Sequence, residues 1–143
     1  MFYKLPPRVQ IFSIAIALGI VIMIYGKYRC EKKIKDPLMD GKEICRICDW
    51  WSISHFVFNF LLAFSYPIYG FFILTLGLLW ELFEFVVQKG YLKNVPVLNK
   101  IDQISRCKSD RENKHWIYYE ITDIPLNIAG ILLGIYVRTK FFK

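Results

Sequence analysis

The stretch LLWELFEFVV, residues 78–87, places Glu81 and Glu84 three positions apart inside a run that is otherwise wholly apolar. A soluble amphipathic helix would carry a broader polar face here. A simple membrane anchor would carry no charge. A carboxylate turned toward lipid costs on the order of a few kcal/mol even on insertion scales. The two glutamates are therefore expected to face inward, toward other polar groups of a membrane-embedded bundle.

The rest of the chain fits that frame. Its 143 residues are 55% hydrophobic and 17% aromatic, with a formal net charge of +7. Long apolar runs alternate with short charged clusters, which is the pattern of a membrane protein and not of a soluble domain. The positive charge falls in flanks and loops. No nucleic-acid-binding motif accompanies it, so no nucleic-acid partner is expected.

Residues 9–25 form the first apolar run, enough for about 25 Å of helix. They follow Lys4 and Arg8 but lack a small-residue cleavage site, and read as a retained span rather than a signal peptide. Residues 27–49 are polar and read as a loop. The apolar stretch 50–88 is too long for one span, and SYPIYG (65–70) interrupts it with a proline and a glycine. It divides into 50–66 and 67–88. A second polar loop covers 89–120. The last span is 121–137, with Thr122 or Asp123 as cap and Pro125 tolerated in the first turn. The expected fold is an all-α integral membrane bundle of four transmembrane helices, one domain over residues 1–143, with both polar loops on the same side. The terminal side carries Lys4, Arg8, Arg138, Lys140 and Lys143 without an acidic residue, which favours cytoplasmic termini and extracytoplasmic loops.

Polar residues recur on three of these helices at steps of three and four, so each set shares one face. The sets are Ser52, His55, Asn59; Glu81, Glu84, Gln88; and Asp123, Asn127, Gly130, Gly134. The helix directions bring them to similar depth near the loop side. His55, Glu81, Glu84 and Asp123 are the candidate catalytic residues and the candidate ligands of a metal. Neutralisation by a divalent cation, by shared protons or by a basic loop residue would each relieve the repulsion among three carboxylates. Oxygen-rich ligation with one histidine suits Mg, Mn or Fe as the cofactor better than a sulfur-rich zinc site. Taken singly, each residue has a plainer reading. Asp123 could simply cap its helix, Asn59 and Asn127 could be interhelical hydrogen-bond partners, and Gly130-x-x-x-Gly134 a close-packing contact.

SHFVFNFLLAF (54–64), WELFEF (80–85) and DIPLNIAGILLG (123–134) together resemble the VanZ-like superfamily of small multi-pass membrane proteins, including relatives with a W-E-x-x-E signature. The family pattern falls here on His55, on Glu81 with Glu84, and on Asp123, Asn127 and Gly130. Members often carry D-E-x-x-Q followed by a Gly-Arg pair. This chain has neither, and Arg106 or Arg111 would have to substitute. The resemblance implies action at a membrane on a lipid or lipid-linked envelope component.

Cys30, Cys45, Cys48 and Cys107 all lie in the two predicted loops. In an oxidising compartment they predict two disulfides with three possible connectivities; in a reducing one, structural zinc. The disulfide reading is favoured. Basic residues of the second loop, Arg106 and Arg111 among them, could bind an anionic head group, and a solvated basic loop is the plainer reading of the same residues. The functional expectation is a membrane protein whose polar site acts on a lipid or lipid-linked substrate, with Glu84 or His55 as general base and Asn59 and Asn127 positioning substrate. The alternative is a non-catalytic membrane scaffold or envelope structural protein whose polar stripe fixes helix packing.

Overall fold

A computed structural model describes residues 5–34, 49–96, 98–106, 117 and 119–142. The described residues form five helices: α1 (Pro7–Lys32), α2 (Trp50–Ser65), α3 (Gly70–Gln88), the short α4 (Asn99–Ser105) and α5 (Asp123–Phe141). Two 3-10 turns, Pro67–Tyr69 and Tyr91–Asn94, precede α3 and α4.

Each boundary has a local cause. Pro7 opens α1 at a position where its missing N–H is not needed. The apolar run ends near Tyr25, but the helix continues to Lys32, two turns into the stretch expected to be loop. Arg, Lys and Glu are good helix formers, and Arg29 and Lys32 complement the negative end of the helix dipole. Lys33 then turns left-handed with φ 56° and ends it. Asp49 caps α2, its Oδ1 accepting the Ser52 N–H at 3.0 Å. The expected break at 65–70 is present: α2 stops at Ser65, Pro67 opens a 3-10 turn, and Gly70 starts α3. The second polar stretch is not simply loop. Leu92, Leu98 and Ile101 fold back over Val87 and Ile117, so α4 and its preceding turn cap one end of the helices.

Three stretches are long and apolar enough to cross a membrane: Pro7–Lys32, Pro67–Gln88 and Asp123–Phe141. Their apolar side chains point outward on a scale that water would not tolerate; Ile24 is 64% exposed and Phe71 84%. Four full spans were expected, and α2 is the one that falls short. Its 16 residues give about 24 Å of helix, because Asp49 caps it at one end and Pro67 stops it at the other.

The helices α1, α2, α3 and α5 gather their ends at two poles. At one pole Tyr66 donates its hydroxyl to Gln10 Oε1 at 2.7 Å, Arg8 lies over the Tyr69 ring and Arg138 over the Phe64 ring. This pole holds the start of α1 and the end of α5. An apolar core of Ile11, Leu62, Ala63, Ile73 and Ile131 lies beside it.

The tightest contact is between α2 and α5. Gly130 lies against the Phe56 carbonyl, and a methyl group at Gly134 would stand 2.5 Å from the Phe60 carbonyl oxygen. Backbones approach this closely only where side chains are absent, which is the close-packing role expected of Gly130-x-x-x-Gly134. That approach fixes the register between the polar faces of the two helices.

Candidate metal centre

With α2 and α5 in register and α3 across from them, the three polar stripes meet at the opposite pole. Asn59 sits one turn beyond His55, and its Nδ2 donates both to the His55 carbonyl (2.9 Å) and to Asn127 Oδ1 (2.7 Å). Asn127 Nδ2 in turn donates to Glu81 Oε1 at 3.0 Å. His55 Nδ1 lies 3.2 Å from the same oxygen. One glutamate oxygen is thus tied to α2 and α5 at once. A chain of hydrogen bonds crosses the bundle from α2 through α5 to α3, and Gly77 leaves room for the two amides beside it.

Glu84 is held from its own helix. Trp80, four residues earlier, donates its indole N–H to Glu84 Oε1 at 2.8 Å. The Trp80 ring packs against α1 at Gly19, where an added Cβ would stand 3.2 Å from it. Asp123 is the first residue of α5. The capping position belongs to Thr122, which makes no side-chain cap bond, so capping does not account for Asp123. Its carboxylate is buried, 5% exposed, at the positive end of the helix dipole.

All three carboxylates share one peculiarity. Glu81 Oε2, Glu84 Oε2 and Asp123 Oδ1 are buried without a hydrogen-bond donor among the described residues. Glu81 is 2% exposed and Glu84 9%. Ligand atoms from His55, Glu81, Glu84 and Asp123 all lie within 4.8 Å of one another, so these four side chains could hold a metal ion. At such a separation each pair of carboxylates repels by roughly 3 kcal/mol or more at an effective dielectric of about 20. A cation among them reverses that sign.

The structure brings His55, Asn59, Glu81, Glu84, Asp123 and Asn127 together, whereas Gln88, expected on the same face as the two glutamates, is exposed. Asn59 and Asn127, expected to position substrate, are 4% and 1% exposed and are engaged with each other and with Glu81. Arg106 stands beside Gly90, in the turn after α3, and does not line the cleft above the cluster. Arg111, Cys45, Cys48 and Cys107 lie outside the described residues, and with them the expected cysteine pairing. Cys30 is buried at the end of α1.

Sequence reasoning missed the contribution of α1. Ile22, Gly26 and Arg29 line a cleft whose other walls include Trp51 and Trp80 and whose floor includes His55, Glu84 and Asp123. The signal was available: Gly19, Ile22, Gly26 and Arg29 follow helical steps of three and four straight through the end of the apolar run.

The chain matches no protein-family model, no curated protein and no solved structure. The likeness to the VanZ-like superfamily thus rests on its three short motifs.

Proposed function

We propose that this is an integral membrane protein in which α2 is a fourth embedded helix, and that it holds one divalent cation on His55, Glu81, Glu84 and Asp123 for use on a lipid or lipid-linked substrate. The observation that carries the reading is the convergence of three buried carboxylates, each with one oxygen lacking a donor among the described residues, on an imidazole. Packing gives no reason to bury three such atoms together, because each forfeits its hydration. A hard cation satisfies all three. Three oxygens and one nitrogen favour Mg, Mn or Fe.

Bound there, the ion would act as a Lewis acid on a substrate or water oxygen. Glu81, fixed by Asn127 and His55, and Asp123 are the holding ligands. Glu84 and His55, which line the cleft together with Asp123, are the ligands that would double as proton acceptors by releasing the ion. The motifs shared with the VanZ-like superfamily support action at a membrane. Arg8, Arg138 and Lys140 at the terminal pole support cytoplasmic termini.

Thermal melting of the full chain in neutral detergent tests the metal reading. Mn²⁺ at about one hundred times its dissociation constant should add about 2.7 kcal/mol over the chelator-treated protein. Glu84→Gln should lose most of that gain. A wild-type melting curve indifferent to every divalent ion tried would sink it.

A further inference from the structure

The cleft above the cluster has a chemistry of its own. Its lining includes the acidic Glu84, Asp123 and Glu120, and Arg29 joins it from the polar extension of α1. Trp51, Trp80, Ile22 and Ile117 make the walls largely apolar. Gly26, buried one turn before Arg29, leaves the α1 wall open between Ile22 and the guanidinium. The main contacts of α1 are with α3 and α4, so its seam with α2 is the less tightly packed side of the cleft.

We infer that this cleft binds the phosphate group of an amphiphile, clamped between the metal and Arg29, with the adjoining carbon chain lying against Trp51 and Trp80 and leaving through the α1–α2 seam. The inference rests on the metal reading for the floor of the cleft. A metal ion paired with an arginine is the arrangement that stabilises charge on phosphoryl oxygens, and the planar guanidinium matches a phosphate in two-pronged fashion. Arg29 and Glu120, which also lines the cleft, each make further contacts. A guanidinium has five N–H donors, so it can keep a structural partner and still present an edge to a ligand. Counting the three carboxylates of the cluster, Glu120, Arg29 and a divalent ion, the formal charges around the phosphate sum to −1, against −3 without the ion, so the ion supplies the positive charge that a phosphate needs there. Without the ion the same site would repel it. Phosphate binding is therefore metal-dependent.

The probe is dodecyl phosphate, titrated calorimetrically into the full chain in neutral detergent, with and without Mn²⁺. Inorganic phosphate and dodecyltrimethylammonium serve as comparisons. Dodecyl phosphate should bind in the presence of Mn²⁺, inorganic phosphate much more weakly, and the ammonium amphiphile not at all. R29Q should weaken dodecyl phosphate by roughly tenfold or more while leaving Mn²⁺ affinity within about threefold. R29K, which keeps the charge but loses the two-pronged geometry, should fall in between and carries the test if R29Q does not fold. Equal binding of dodecyl phosphate by wild type and both variants overturns the inference, as does preference for the ammonium amphiphile. Equal affinity for inorganic phosphate overturns the role of the carbon chain. If Mn²⁺ binds and dodecyl phosphate does not, the inference falls and the metal reading stands. If Mn²⁺ does not bind but Arg29-dependent binding of dodecyl phosphate persists, the metal reading falls and with it the metal dependence inferred here, leaving the arginine subsite alone.

Discussion

Asn127 holds Glu81 by a single oxygen: its Nδ2 donates to Oε1 at 3.0 Å, and Oε2 is left buried without a donor among the described residues. The amide orients the carboxylate and is itself oriented by Asn59. Replacing Asn127 with Leu keeps the volume and removes both links. The variant should lose roughly 10–100-fold in Mn²⁺ affinity, the usual cost of removing a group that orients a ligand. It should also lose about 1–3 kcal/mol of stability, because Asn59 and Glu81 are left with unmet polar atoms. Manganese titration and thermal melting measure the two separately. Unchanged affinity would show that Glu81 does not depend on its neighbour.

The α2–α5 contact makes a prediction that needs no metal. Gly130→Ala would drive a methyl group into the Phe56 carbonyl, and Gly134→Ala would meet the Phe60 carbonyl at 2.5 Å. Backbone atoms cannot step aside cheaply, so each should cost about 1–3 kcal/mol of stability. Gly77→Ala is the contrast, since its new methyl would meet Asn127 and Asn59 side-chain atoms at 3.7–3.9 Å, ordinary contact distances. It should melt close to wild type. Equal tolerance at all three positions would contradict the packing described.

Trp80 links α1 to the site. Trp80→Phe removes the donor to Glu84 Oε1 and, with it, the outer ring carbons that face Gly19. Its Mn²⁺ affinity should fall by roughly tenfold or more. Gly19→Ala touches no polar group, yet crowds the ring at 3.2 Å. It should shift Trp80 fluorescence and weaken Mn²⁺ in the same direction by a smaller factor. Wild-type affinity in Trp80→Phe would mean that Glu84 is not held through its indole partner.

Much of the site was legible in the sequence because helical periodicity is local. His55 with Asn59, Glu81 with Glu84, and Asp123 with Asn127 each share a face by spacing alone, and bilayer energetics turn such faces inward. The break at Pro67 was legible for the same reason, since proline acts on its own neighbourhood. Other features depend on partners distant in sequence. Hydropathy ends near Tyr25, yet α1 runs on to Lys32 because helix propensity does not require apolar residues. Trp80 stood out in the sequence only as part of the W-E-x-x-E motif; its place between Gly19 of α1 and Glu84 is seen in the structure alone. Spacing puts Asn59 and Asn127 on the polar faces, but only the geometry shows that Asn59 donates to Asn127 and to the His55 carbonyl, and Asn127 to Glu81. The length of α2 was overread by one residue, and that residue, Tyr66, is where the chain turns.

The most direct measurement is elemental analysis of the detergent-purified protein beside the Glu81→Gln/Glu84→Gln double variant. A single divalent ion per wild-type chain, absent from a variant that still folds, is the predicted result. Neither protein carrying or taking up metal, with equal stability in both, would contradict the account and leave the converging carboxylates as a packing feature of the bundle.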